Sequence, residues 1–175
     1  MRHTPSWLPS ALAATVLVGA ISACASEPRS TFLAPGGPAG DLTDATEAQV
    51  IAALAAVGLP AGEATTSYLP PEAALFANAP RTVIQATLPD DPTHGFLVIY
   101  AFSTAQAAQT AAAEQAEHIS SHRGGIFPLG TRAVLRQVGS NVVFFSWLPD
   151  SSPDARTRLI EEALLGVGTE VRIED

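Results

Sequence analysis

An α+β fold is predicted for this chain: an antiparallel sheet of four to five strands with helices packed on one face. Three observations predict it. Residues 82–88 and 96–102 read as strands joined across Pro89-Asp90-Asp91-Pro92, and 131–138 and 142–147 read as a second pair joined across Gly139-Ser140-Asn141. An alanine-rich helical stretch, 104–119, stands between the two pairs. Helical periodicity frames the whole at 44–57 and 154–165. Hairpins with interleaved helices build a two-layer antiparallel arrangement, because each apolar sheet face needs a helical or sheet partner.

The elements follow in order. In 44–57, Val50, Ile51, Leu54 and Val57 fall on one helical face, Asp44 is placed to cap it with Glu47 in the capping-box position, and Gly58 and Pro60 end it. Residues 64–69 read as a short strand stopped by Pro70-Pro71, and 72–79 as a loop or a single helical turn. Phe-Leu-Val-Ile-Tyr-Ala-Phe at 96–102 is apolar at every position, so this strand is expected at the centre of the sheet. Ser103 is the expected cap of the next helix, with Gln106 three residues on, and the alanines let that helix lie close to the sheet. Gly124-Gly125 and Pro128 mark a loop. In the last helix Ala155, Leu159, Ile160 and Ala163 are expected to face inward, and 171–173 either adds an edge strand or frays.

The N-terminal region is of another kind. Met1-Arg2-His3 is weakly basic, 11–21 is apolar, and small residues lead into Cys24, the sole cysteine. The apolar run of about fifteen residues falls short of the roughly twenty that a spanning helix needs. Ile21-Ser22-Ala23-Cys24 resembles the lipobox of bacterial lipoproteins. That resemblance implies cleavage before Cys24 and lipidation of its thiol, with several acyl chains giving stable anchoring where one gives marginal binding. Ala23-Cys24-Ala25 also fits small-x-small signal cleavage, which would release a soluble protein. Three regions result: 1–23 a lipoprotein signal peptide, 24–43 the lipidated Cys24 with a Pro/Gly/Ser linker, and 44–175 a single α+β domain. At about 5–6 Å × √n the linker reaches roughly 20–25 Å. The expected location is the extracytoplasmic face of the cell membrane, or the outer membrane in a cell with two. The stretch 98–119 is loosely similar to small bacterial lipoproteins of unknown function.

Composition narrows the function. The chain is 47% hydrophobic, enough for a core, and carries a formal charge of −8. Residues 1–23 hold one arginine and no acid, so the remainder carries −9. All nine basic residues are arginine. An acidic chain without basic clusters argues against nucleic-acid binding and against a polybasic grip on lipid.

Glu114, His118 and His122 are four apart and share one helical face, the spacing for a zinc or copper site, although such residues are also ordinary on a solvated helix surface. His94, in the hairpin turn, is a further imidazole that could join them, though nothing in the sequence requires it. Asp90-Asp91 beside His94 raises acid–base chemistry, but a polar turn between two prolines accounts for the acids. Ser103 and Ser146 have no neighbouring base, and Gly124-Gly125 is too short for a phosphate loop. Val143, Phe145 and Trp147 face one way and Val142, Phe144 and Ser146 the other; if the second sheet face were uncovered, its aromatics would offer an apolar surface to an envelope protein or a small ligand. The expectation is a non-enzymatic binding or interaction lipoprotein without a cofactor, the alternative being a metal-binding one that uses Glu114, His118 and His122.

Overall fold

The computed structural model describes residues 42–174. The expected signal peptide, Cys24 and nearly all of the linker lie outside the described residues. The elements are α1 (Asp44–Ala56), β1 (Ala61–Glu63), α2 (Ala74–Ala77), β2 (Arg81–Ala86), β3 (Phe96–Ala101), α3 (Ala105–Ser121), β4 (Arg132–Val138), β5 (Asn141–Trp147), α4 (Thr157–Leu164) and β6 (Thr169–Val171). The strands form one antiparallel sheet in the order β1-β2-β3-β5-β4-β6. The α+β class is as expected, with six strands in place of four to five.

The helices cover both faces of the sheet, not one. Leu97 and Ile99 of β3 and Val143 and Phe145 of β5 pack with Val50 and Leu54 of α1 and Ile160 and Leu164 of α4. Val98, Tyr100, Val142 and Phe144, which alternate with them, pack with α3 and with Phe76 of α2. The physical reason was present in β3: a strand apolar at consecutive positions exposes hydrocarbon unless both faces are covered. Its register with β5 (Val98 opposite Phe144, Ile99 opposite Val143) aligns the apolar rows of the two central strands. The uncovered aromatic face considered above is therefore absent from this sheet.

Local chemistry explains the boundaries. The first cap falls on Thr43 rather than Asp44, and its hydroxyl pairs with that of Thr82 at 2.8 Å. Thr104, not Ser103, caps α3, its Oγ1 accepting from the Ala107 N–H at 3.0 Å. Both shifts put the cap one residue beside the expected one. The first strand is β1, not 64–69; beyond Ala64 the chain leaves β2, and the Tyr68 ring stacks on Phe96 at 4.7 Å. Ala155 is exposed because α4 starts two residues later, at Thr157. The alanine face of α3 (Ala108, Ala111, Ala112) is fully buried, as its small side chains allow. Gln115 on that face accepts from the Ala73 N–H at 2.7 Å and donates to Pro71 O at 3.0 Å, fastening the segment before α2.

The end of α1 yields a prediction. Gly58 has φ +80°, its N–H bonds Ala55 O at 3.0 Å, and the Leu59 N–H bonds Leu54 O at 3.0 Å. This double closure requires a left-handed residue, which glycine adopts without strain, and it seats Leu59 in the core beside Leu54. Gly58→Ala is expected to lower stability by about 1 kcal/mol through backbone strain alone, since an added Cβ would meet no atom within 4 Å. Chemical denaturation with an unchanged m-value checks this.

Candidate functional site

Two loops meet at the end of the sheet where β5 leaves and β3 begins. One is the β2–β3 turn, whose two prolines and two acids predict a polar turn. Asp90 is exposed, but the Asp91 side chain is only 3% accessible. The turn geometry points it inward: the Asp91 N–H bonds Leu88 O at 3.0 Å, and the His94 N–H bonds Asp91 O at 3.2 Å. Asp91 Oδ1 contacts His94 Nδ1, and Oδ2 accepts from Ser152 Oγ at 3.2 Å. Ser152 also pairs with Thr157 Oγ1 at 2.6 Å, which donates to Asp154 O at 2.8 Å. Asp91 thus holds an imidazole on one loop and a hydroxyl on the other.

A second latch lies beside it. Asp154 accepts from the Asp90 N–H at 3.1 Å and takes both Nε and Nη2 of Arg156, at 2.8 and 2.7 Å. The Arg156 bond, foremost, and backbone N–H donors hold the Asp154 carboxyl down at about 2, against the opposing effect of burial. A carboxylate depressed in the folded state contributes stability above its unfolded value near 4, and that contribution is lost as the pH falls through about 2. The melting temperature is therefore expected to drop between about pH 4 and pH 2, and to drop less in Asp154→Asn than in the parent. Thermal melts across that window check it; equal slopes would refute the latch.

Between the latched loops lies a crevice of about 100 Å³. Tyr68, Phe96, Phe145 and Trp147 supply its apolar lining, and Asp91 and His94 its ionisable groups. The stacked Tyr68 and Phe96 rings form one side. Burial raises the Tyr68 phenol above its ordinary range, with a bond to Ser146 opposing. The Trp147 indole nitrogen is buried and has no hydrogen-bond partner among the described residues. No protein-family model, curated protein or solved structure matches this chain. Its chemistry is therefore read from these side chains alone.

The Glu114, His118 and His122 set lies on α3 and at its end, away from this crevice. The His118 and His122 rings are 4.4 Å apart, centre to centre. Their polar atoms are engaged locally. Glu114 Oε1 accepts from the Leu75 N–H at 3.3 Å at the start of α2, and His122 Nδ1 lies 2.9 Å from His118 O and 3.1 Å from Ser121 Oγ. Burial, then His122, pull His118 below the usual imidazole range, with Glu114 opposing. Among the described residues no three His, Cys, Asp or Glu side chains come together as a metal-holding group. His94 is committed to Asp91. Replacing His118 and His122 together by alanine is expected to leave the metal content of the purified protein unchanged, as read by plasma mass spectrometry.

A buried polar cluster also lies on the α3 side of the sheet. Glu72 contacts both Arg81 Nη1 and the Tyr100 hydroxyl, and Tyr100 packs on Phe76 at 4.3 Å. Burial, then the bond to Glu72, raises the Tyr100 phenol far above its ordinary value, so it stays protonated and donates. This cluster fastens α2 to the sheet.

Asp-x-x-His in a proline-bounded turn was a visible signal. Ser152 and Tyr68 carried none, because they reach the crevice from distant parts of the chain.

Proposed function

We propose that this chain is a membrane-anchored extracytoplasmic lipoprotein, lipidated on Cys24, whose domain is a non-enzymatic module that captures a small ligand in the crevice at Asp91 and His94. The signal-like segment ending in the sole cysteine supports the anchor. The observation that carries the binding reading is an aromatic-lined crevice with a buried carboxylate fixing an imidazole at its edge. A preformed apolar hollow with few oriented polar groups recognises ligands by shape and a small number of hydrogen bonds. The volume of about 100 Å³ suits a compact ligand, well below the ~300 Å³ at which drug-sized pockets begin. Trp147 Nε1 offers a buried donor that a ligand acceptor would satisfy.

Non-enzymatic capture is favoured over hydrolysis by the direction of one bond. A serine nucleophile needs the imidazole as base, yet Ser152 donates to Asp91 and pairs with Thr157. Among the described residues, no helix is long and apolar enough to cross a membrane.

A native mass spectrum of the protein extracted from its own membranes tests the proposal. A mass equal to residues 24–175 plus acyl groups, with a further bound mass lost in His94→Ala and Trp147→Phe, is expected. A polypeptide beginning at Ser26 refutes the anchor. Bound mass retained in both variants refutes the crevice.

A further inference from the structure

The crevice between the latched loops is selective in charge. Its lining holds no arginine, and the chain has no lysine. The bounding loops, 87–95 and 148–157, carry Asp90, Asp91, Asp150 and Asp154 against Arg156 and His94. Local pairing cancels part of this. His94 answers Asp91, and Arg156 answers Asp154 through Nε and Nη2, reaching Asp90 only at 3.6 Å. With His94 counted as a full cation and each pair as neutral, the charges of Asp90 and Asp150 remain. Asp90 is 75% exposed, and Asp150 forms no ion pair among the described residues. Surroundings that stay negative after pairing draw in cations and repel anions.

The hydroxyls of the lining are spent on their neighbours. Ser146 bonds Tyr68, and Ser152 and Thr157 bond each other at 2.6 Å, with Ser152 also on Asp91 Oδ2 and Thr157 on Asp154 O. Both Asp91 oxygens are thereby taken. A ligand held by many hydrogen bonds, such as a sugar or a hydrated metal ion, finds few to make here. An ammonium whose nitrogen carries methyl groups needs none, because aromatic rings hold its charge through their negative faces. Tyr68, stacked on Phe96 at 4.7 Å, packs against the α3-side core, and Trp147 against the core on the other face, so rings reach the crevice from both faces of the sheet. The volume of about 100 Å³ is below the roughly 150 Å³ of a closed cavity that admits benzene, which suits an ammonium head with the rest of its molecule in solvent.

We propose that the crevice binds a compact organic cation, a methylated ammonium head, through aromatic contact with Tyr68, Phe96 and Trp147 and the negative field of Asp90 and Asp150. This rests on the capture reading above and names its ligand class. Trp147 Nε1, without a partner among the described residues, is matched by an oxygen beside the ammonium.

Trp7→Phe leaves Trp147 as the sole tryptophan of the full chain, so indole fluorescence reports the crevice directly. The probes are choline and its neutral tert-butyl analogue, in which carbon replaces the nitrogen. Choline is expected to shift the emission and to bind about tenfold tighter than the analogue, the difference shrinking as salt rises. Tyr68→Leu keeps apolar surface but removes a ring, and is expected to weaken choline about tenfold while changing the analogue little. Asp90→Asn with Asp150→Asn, at exposed positions, should weaken choline about threefold at unchanged melting temperature. Equal binding of the two probes, or tighter binding of the analogue, overturns the cation and leaves a capturing crevice standing. No response to either overturns the cation as well; the bound mass in the native spectrum then decides the capture reading separately. Phosphatidylcholine vesicles distinguish the sources. A response to free choline assigns a dissolved ligand, and a response to these vesicles alone, absent with phosphatidylglycerol vesicles, assigns a lipid head; both uphold the ammonium.

Discussion

Gly168→Ala is expected to destabilise the domain by on the order of 3–4 kcal/mol, a fall of roughly 10 °C in melting temperature. Gly168 has φ +53°, and an added Cβ would sit 2.2 Å from Gln137 O and 2.7 Å from Val138 Cγ2. The obstacle is backbone, so no side-chain rotation relieves it. Either β6 lifts off β4, losing the pairs Gln137–Thr169 and Arg136–Glu170, or the end of β4 is displaced. Left-handed strain accounts for only about 1–2 kcal/mol of the expected loss; the remainder is the collision. Calorimetric melting and exchange of the β6 amides check this. A loss no larger than that expected for Gly58→Ala would show that strain alone acts.

Arg136→Met is expected to lower stability by on the order of 2–4 kcal/mol. Arg136 is 6% exposed and spends its guanidinium on backbone: Nε donates to Val167 O at 2.7 Å, and Nη2 donates to Leu165 O at 2.9 Å and Gly168 O at 3.1 Å. These carbonyls close the C-terminal end of α4, where a cation also complements the helix dipole. Methionine keeps the apolar stem and leaves the carbonyls without their donors. Arg136→Lys keeps the charge but not the planar fork, and an intermediate loss is expected. Because Gly168 O is one of the acceptors, the Gly168 and Arg136 variants should combine to less than their sum. Urea denaturation of the two single variants and the double variant measures that coupling; strict additivity would separate the clamp from the turn.

Much of the fold was legible because its signals are local. The alanine stretch of α3, the continuous apolar run of β3 and the Gly58 stop of α1 each carry their own physics within a few residues. The caps were one residue off: Ser103 and Thr104 offer equivalent oxygens at the start of α3, and at α1 the Thr43 hydroxyl bonds Thr82 rather than the helix. Placing every helix on one face failed for a different reason. β3 announces that both of its faces are buried, but not which helix covers which: α1 and α4, from distant parts of the chain, pack on the Leu97 and Ile99 face, and α3 on the Val98 and Tyr100 face.

The candidate site divides in the same way. The four-residue spacing of Glu114, His118 and His122 was readable, yet Glu114 is drawn to the Leu75 N–H, 39 residues earlier in the chain. Asp91 read as a turn acid and proved to be a buried link between loops, its second oxygen on Ser152, 61 residues away. By itself the sequence determined the fold class, the central strand, the alanine-faced helix and the chemistry from which the Cys24 anchor is inferred, all properties of contiguous residues. Only the tertiary structure decided that helices cover both faces, that Arg136 closes α4, and that Asp91 fixes His94 beside an aromatic crevice. Each of these depends on atoms brought together from distant parts of the chain, and side-chain charge, size and spacing carry no record of which distant backbone carbonyl or carboxylate will arrive beside them.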